Sequence, residues 1–370
     1  MEKHLHIVSF DVPYPPNYGG IIDVFYKIKE FHNLGIKVHL HCFFVDSSKT
    51  EKELEKYCEK VHYYRNKIRF FDLFSMTPYR VKRRISKRLS ENLEANKYPI
   101  LFEGLHSAHT LTLSNDVKMY VRTHNIEHDY FYGLAKSESN FFRKLFYYLD
   151  GFKIKFFEKH LSKAHGIFTI SPSDQRHFHS LYGENTHYIP AFHQAESVTN
   201  QISKGKYILY HGDLRISDNI KAVLFLINTY KRSDFKFLIA SSHKEKMILR
   251  KVKKYRNIGY KRISNQEELQ DLFTRAHINT LITFQKTGIK LKLLNSLYQG
   301  KFIIANTKMI EDTGLESLCE LANTKEEILR KTKLLFSKEF LKSDLKQRQE
   351  VLADFNPTTS AKKMIAVMFK

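Results

Sequence analysis

The sequence predicts an α/β protein of two facing Rossmann-like domains, each a parallel sheet flanked by helices. Three observations lead there. A strand, glycine loop, helix and second strand open residues 4–44, and the same scheme returns at 207–241. Each is spaced as a βαβ unit, whose crossover makes neighbouring strands parallel. Between the two halves YIPAFHQAESVTNQISKGK, residues 188–206, is polar and without period, as a linker is.

Taken in order, HLHIVSF is the first strand and DVPYPPNYGG its loop, with Gly19 and Gly20 preceding the helix IIDVFYKIKEFHNLG. KVHLHCFF is the next strand, and YPILFEG, VKMYVRTH and GIFTIS read as further ones. The second half runs through strand YILYHG, loop DLRISDN, helix IKAVLFLINTYKR, strand FKFLIAS, helix NQEELQDLFTRAH and strand INTLITF. A helix between Gly288 and Gly300 leads into an apolar strand, Phe302 to Ala305. The pattern breaks at Phe355-Asn356-Pro357, before a last helix, TTSAKKMIAVMF. The expected divisions are a first Rossmann-like domain at 1–190, a linker at 191–206, a second domain at 207–355, and a last helix at 356–370.

Composition narrows the function. The 370 residues are 42% hydrophobic with 29 Phe and 21 Tyr, enough for two cores, and 14 Gly with 8 Pro exclude a disordered or fibrous chain. Cys42, Cys58 and Cys319 lack metal-ligand spacing and read as reduced cytosolic thiols. No stretch approaches the ~18 apolar residues of a membrane span, and the start lacks a signal-peptide core, so a cytoplasmic protein is expected. The net charge of +22 calls for an acidic partner. No nucleic-acid motif accompanies it, so nucleic acid is not expected. Segments 69–89 and 141–163 alternate aromatic and basic residues, which fits a peripheral protein at an anionic membrane surface on the inner face.

The segment FQKTGIKLKLLNSLYQGKFIIAN (284–306) places Lys290 and Lys292 at a helix start. The amides there already carry partial positive charge, so each lysine costs roughly 0.3–1 kcal/mol unless an anion is bound. Lys292, Asn295 and Gln299 share one face; Leu291, Leu294 and Tyr298 share a core-suited one. Open α/β sheets bind ligands beyond the carboxyl ends of their strands, which makes the residues closing each strand the candidates.

These motifs, in this order, resemble the GT-B fold of nucleotide-sugar glycosyltransferases, specifically the large retaining family that builds bacterial surface polysaccharides. PYPPNYGG is similar to that family's opening glycine loop, VRTHNIEHDYF to its strand-end histidine segment, YHGDLRISDNIKA to the start of its donor domain, and TGIKLKLLNSLYQGKFIIAN to its donor signature. The resemblance implies hexosyl transfer from a nucleotide-diphosphate-sugar, a co-substrate rather than a cofactor, to a glycan or lipid-linked acceptor, with retention and without metal. It also makes 1–190 the acceptor-side domain and 207–355 the donor domain, with the helix at 356–370 returning to the first domain. The sequence departs from the family at its Glu-x7-Glu pair, where Thr287 and Asn295 stand, and Asp213 replaces a basic residue, with Arg215 two places on.

By the same resemblance, donor binding falls to Gly19, Gly20, Gly212, Arg215, Asn219, Thr287, Gly288, Lys290, Lys292 and Asn295. His124 is the candidate catalytic residue, a strand-end histidine whose ring can both donate and accept a hydrogen bond, and Glu127 is its helper. Glu103, His106, Arg122 and Asn125 are expected on the acceptor side. The missing glutamates also admit a catalytically silent module that binds nucleotide-sugar or supports a partner enzyme. A UDP-sugar epimerase or hydrolase is a further alternative.

Overall fold

The computed structural model describes residues 2–16, 19–45, 51–67, 69–112, 116–138, 140–195, 197–198, 202–285 and 291–370. They divide into two compact units: those up to Gln194 with Asp354–Lys370, and those from Ala195 to Gln285 with Leu291–Ala353.

The first unit is built on strands β1 (Lys3–Ser9), β2 (Ile36–Phe44), β3 (Lys60–Arg65), β4 (Ile100–Glu103), β5 (Met119–Thr123), β6 (Gly166–Thr169) and β7 (Thr186–Tyr188). Its helices are α1 (Gly19–Asn33), α2 (Tyr79–Lys82), α3 (Lys87–Glu94), α4 (Glu127–Ser137), α5 (Phe141–Phe157) and α6 (Pro172–Tyr182). All strand pairs are parallel, in the order β3-β2-β1-β4-β5-β6-β7. The chain moves outward from β1 through β2 to β3, then returns to place β4 on the other side of β1. That reversal opens a crevice at the carboxyl ends of β1 and β4, where α/β sheets hold ligands.

In the second unit the strands are β8 (Tyr207–His211), β9 (Phe237–Ser241), β10 (Ile258–Arg262), β11 (Ala276–Leu281), β12 (Phe302–Ala305) and β13 (Glu320–Leu321). They are also parallel, ordered β10-β9-β8-β11-β12-β13, with the same reversal between β8 and β11. Between and after them come α7 (Ser217–Tyr230), α8 (Glu245–Val252), α9 (Gln266–Arg275), α10 (Leu291–Gln299), α11 (Thr307–Ile310), α12 (Lys325–Phe336) and α13 (Lys342–Leu352).

Apolar packing covers both faces of each sheet. On one side of the first sheet Ile21, Val24, Ile28 and Phe31 of α1 meet Leu5, Ile7, Val38 and Leu40. On the other, Phe131, Ile154, Phe157 and Phe178 cover Val8, Phe102 and Val121. Full burial of such a side chain stabilises by roughly 1.5–3 kcal/mol each. The last helix, α14 (Pro357–Met368), lies in the first unit. Its Ala361, Met364 and Met368 complete the α1 core, and Tyr120 donates to the Val367 and Met368 carbonyls at 3.4 and 3.3 Å. Asn356 caps it by accepting the Thr359 amide at 3.1 Å, and Pro357 occupies its first turn, where a missing N–H costs nothing.

Two local features differ from expectation. Ala191, Phe192 and His193 were assigned to the linker but are buried in the first unit, because the Phe192 amide donates to the Asp23 carboxylate at 2.8 Å. Gly19 and Gly20 form the first turn of α1 rather than a loop before it.

Candidate functional site

In the first unit the reversal between β1 and β4 gathers a buried charge cluster. Asp23 and Lys27 sit one turn apart on α1, Glu103 ends β4, Arg122 lies near the end of β5, and His124 follows it. The Lys27 ammonium is 2.8 Å from Asp23 Oδ2 and 2.8 Å from Glu103 Oε1. Arg122 binds both Asp23 oxygens, with Nη2 at 2.9 Å and Nε at 3.2 Å, and gives its remaining donors to the carbonyls of Thr169, Ile189 and Pro190. His124 Nε2 lies 3.2 Å from Glu103 Oε2. Two anions thus meet two cations, the compensation that buried charge requires.

Burial opposes ionisation of both carboxyls. Arg122 and Lys27 overcome it for Asp23, and Lys27 with His124 for Glu103, so each is held below the ordinary carboxylate range. An ionised Glu103 can only accept, so His124 Nε2 carries the proton that it donates; in the neutral imidazole Nδ1 is then an acceptor. Among the described residues, Asp23, Glu103 and His124 are the side chains close enough to share a metal ion. The Lys27 ammonium already stands between the two carboxylates, so that position is filled by a protein cation.

Phe10 links this cluster to a second pair. Its ring meets His124 edge-on at 5.6 Å and His106 at 5.0 Å. His106 Nδ1 is 3.9 Å from Glu127 Oε1, with both side chains nearly buried. Burial pushes the Glu127 carboxyl up to about 7, only partly offset by Arg80. Burial, with Arg84 and Arg80 nearby, drives His106 well below its usual range. Both shifts favour the neutral forms, so near pH 7 the 3.9 Å approach is not a full ion pair. A carboxyl poised near neutrality at a strand-end crevice is suited to proton transfer. Gly20 has a packing reason as well: a Cβ there would lie 2.8 Å from Phe10 Cζ.

In the second unit the reversal between β8 and β11 is stitched by Asp218, in the first turn of α7. Its carboxylate accepts from Thr283 Oγ1 at 2.8 Å and from the Phe284 amide at 3.1 Å. One residue on, Asn219 Nδ2 donates to the Asp213 carbonyl at 2.8 Å, which shapes the loop after Gly212. Asn219 Oδ1 accepts from Lys292 Nζ at 2.8 Å, and that ammonium lies 5.5 Å from the centre of the Tyr210 ring. Lys292 therefore reaches from α10 to the loop at the carboxyl end of β8. Beneath it His211 is pushed down to about 3 by burial and by Lys292, and its Nε2 contacts Ser296 Oγ at 3.1 Å. On α10, Leu291, Leu294 and Tyr298 are buried while Lys292, Asn295 and Gln299 are half-exposed, the two faces expected from their spacing.

Several expected roles change. Glu103 and Arg122 were assigned to the acceptor, yet both are fully buried and fully engaged with protein groups; they hold His124 and the strand ends in place. Arg215 is exposed and clasps Asp213 through Nε at 2.9 Å and Nη2 at 2.7 Å, so in this arrangement its charge is met by that carboxylate. His106 faces Glu127 and Phe10, while Asn125 is half-exposed in the turn after β5. Thr287, Gly288 and Lys290 lie outside the described residues. Sequence reasoning missed Asp23, Lys27 and Asp218. The first two were signalled by opposite charges four apart in an otherwise apolar helix, IIDVFYKI.

No protein-family model matches the chain. It is 24% identical over 343 residues to an uncharacterised 44.6 kDa protein in the cps region of Klebsiella pneumoniae, covering 87% of this chain and 88% of that one. Among solved structures it resembles sucrose-phosphate synthase from Thermosynechococcus elongatus, with a TM-score of 0.70 at 14% identity over 99% of this chain and 98% of the other. It also resembles a mutant of TarM from S. aureus in complex with fondaparinux, alpha-GlcNAc-glycerol and UDP, with a TM-score of 0.66 at 13% identity over the whole of both chains. These likenesses establish the GT-B architecture of two parallel α/β sheets.

Proposed function

We propose that the protein is a glycosyltransferase that moves a sugar from a nucleotide-diphosphate-sugar to a glycan or lipid-linked acceptor in surface-polysaccharide synthesis. The observation that carries this reading is the grouping of Lys292, Asn219 and the Gly212 loop at the carboxyl end of β8. A diphosphate at that loop would take the Lys292 ammonium from Asn219, which adds a charge-assisted contact. Gly212 leaves its backbone open to close approach: a Cβ there would already press on the Tyr210 hydroxyl at 3.2 Å. The UDP bound to the TarM mutant supports the same ligand class.

In this reading the leaving diphosphate gains its charge stabilisation from Lys292 and from amides at the start of α10, fixed before the reaction begins. Such a site needs no metal. In the first unit His124, fixed by Glu103, offers a sugar hydroxyl an acceptor at Nδ1. The donor phosphate itself assists deprotonation of the attacking hydroxyl, with retention at the anomeric carbon. Asn295, half-exposed on the Lys292 face of α10, hydrogen-bonds a ribose hydroxyl.

A thermal-shift panel of UDP-, GDP- and CDP-sugars tests the donor. Lys292→Ala should weaken nucleotide-diphosphate affinity at least tenfold, about 1.4 kcal/mol. Unchanged affinity would remove Lys292 from the site. Release of nucleotide diphosphate only in the presence of acceptor supports transfer, whereas binding without turnover supports a silent module.

A further inference from the structure

The structure assigns a bilayer-docking surface to the exposed side of α5 and the turn Phe70–Phe74, with a membrane containing anionic phospholipid as its occupant. This goes beyond the donor site and does not depend on it. Helix α5 packs its Asp150, Gly151, Ile154 and Phe157 inward, and Gly151 lets α4 approach until a Cβ would be 3.0 Å from Phe131 and Tyr132. The opposite side is exposed. Phe141, Phe142, Leu145, Tyr148, Leu149, Phe152 and Phe156 are all exposed there, Phe142 at 79%. With about 100° of rotation per residue, these seven fall inside one arc of about 120°.

Charge borders this stripe on both sides. Lys144 and Lys155 project at one edge of the arc and Lys153 at the other, and the helix's one acid, Asp150, is buried on the far face, where it accepts the Tyr79 amide at 2.7 Å. Lys153 Nζ also donates to the Leu73 carbonyl at 2.5 Å, which ties α5 to the neighbouring turn. From that stretch Phe71, Phe74 and Met76 stand out, each more than three-quarters exposed. Ten large apolar side chains so displayed amount to about 1,000 Å² of apolar surface, more than the largest patch on a typical soluble monomer.

The cations decide the occupant. A second copy docked face to face would set Lys144, Lys153 and Lys155 against their own equivalents. An anionic bilayer instead receives the aromatic rings between its headgroups while the lysines reach lipid phosphates at the rim. No helix among the described residues is long and apolar enough to cross a membrane, so contact is confined to the surface.

The test is flotation of the full chain, without nucleotide-sugar, on phosphatidylcholine vesicles with and without phosphatidylglycerol. Binding should require phosphatidylglycerol and fall at least about tenfold in Phe142→Ser/Phe152→Ser. A Lys144→Glu/Lys155→Glu variant should lose binding while keeping its apolar stripe. Donor-induced thermal shifts should survive in all variants, so failure here and failure of the glycosyltransferase reading are separable. Vesicle binding that the serine variant leaves intact overturns the assignment. So does a wild-type dimer that fails to bind vesicles and that the serine variant converts to monomer.

Discussion

Replacing Lys27 by Met keeps the side-chain volume while removing the ammonium from the centre of the buried cluster. Lys27 is fully buried, with Nζ 2.8 Å from an oxygen of each of two carboxylates. At an effective dielectric near 20, one such pair attracts by roughly 6 kcal/mol, most of which offsets desolvation of the charges. What remains on deleting one partner is about 3–5 kcal/mol, because Asp23 and Glu103 are left buried with Arg122 as the sole remaining fixed cation. The pH dependence follows from the sign of the shifts. In the native protein Glu103 is held below its unfolded value, so its contribution is present above about pH 4 and lost as pH falls. Without Lys27, burial dominates and the carboxyl rises, so the variant loses stability as pH increases. Urea unfolding followed by far-UV circular dichroism reads this out, since the chain has no Trp. The two units are fitted as separate transitions, because one two-state fit does not describe both. The double variant Lys27→Met/Glu103→Gln should recover about 2 kcal/mol or more of the loss. A cost below about 1 kcal/mol, or an equal cost at acid and alkaline pH, would refute the reasoning.

Three further outcomes follow from the same geometry. Glu127 has a folded pKa of about 7, above its unfolded value, so it weakens the fold as pH rises from about 4 through 7. Glu127→Gln should therefore stabilise by up to about 3 kcal/mol at pH 8 and negligibly at pH 4; a pH-independent difference between the melting curves would count against the shift. Gly20→Ala puts a Cβ 2.8 Å from Phe10 Cζ and should cost about 1–3 kcal/mol. Chemical shifts of His106 and His124 should move with it, since both pack on that ring. Asn219→Ala should release Lys292 and the 213–219 loop together, seen as faster amide exchange at Asp213 to Ile216; unchanged exchange would show the loop to be held by other contacts.

Much of this was legible before any coordinates, for reasons that differ by element. The strands were readable because parallel strands buried on both faces are short continuous apolar runs, as in YILYHG and GIFTIS. The edge strand β3, KVHYYR, escaped notice because it is half-exposed and polar. Lys292 could be placed by helix periodicity and by the oddity of a lysine near a helix start. His124 could be placed by its position after a strand. Glu103 and Arg122 stand at strand ends too, and nothing local distinguished them from ligand-binding groups. Their partners, Lys27 and Asp23, are 76 and 99 residues away in sequence, so only the fold reveals that the charges are spent on each other. A similar blindness hid the histidines of HLH, VHLH and VHYY. In the sheet His6 Nδ1 meets His41 Nε2 at 3.0 Å and His41 reaches the Tyr64 hydroxyl at 2.8 Å, a cross-strand ladder that only the register creates.

The position of α14 bears on how the protein is made. Translation delivers α1 and its sheet well before Ala361, Met364 and Met368, which cover them and emerge only after the whole second unit. Until then the apolar flank of Val24, Ile28 and Phe31 waits open, a surface that a holding chaperone would occupy. A gene cut near residue 194 would express a fragment with that flank permanently bare, and supplying residues 354–370 as a separate peptide should restore its solubility.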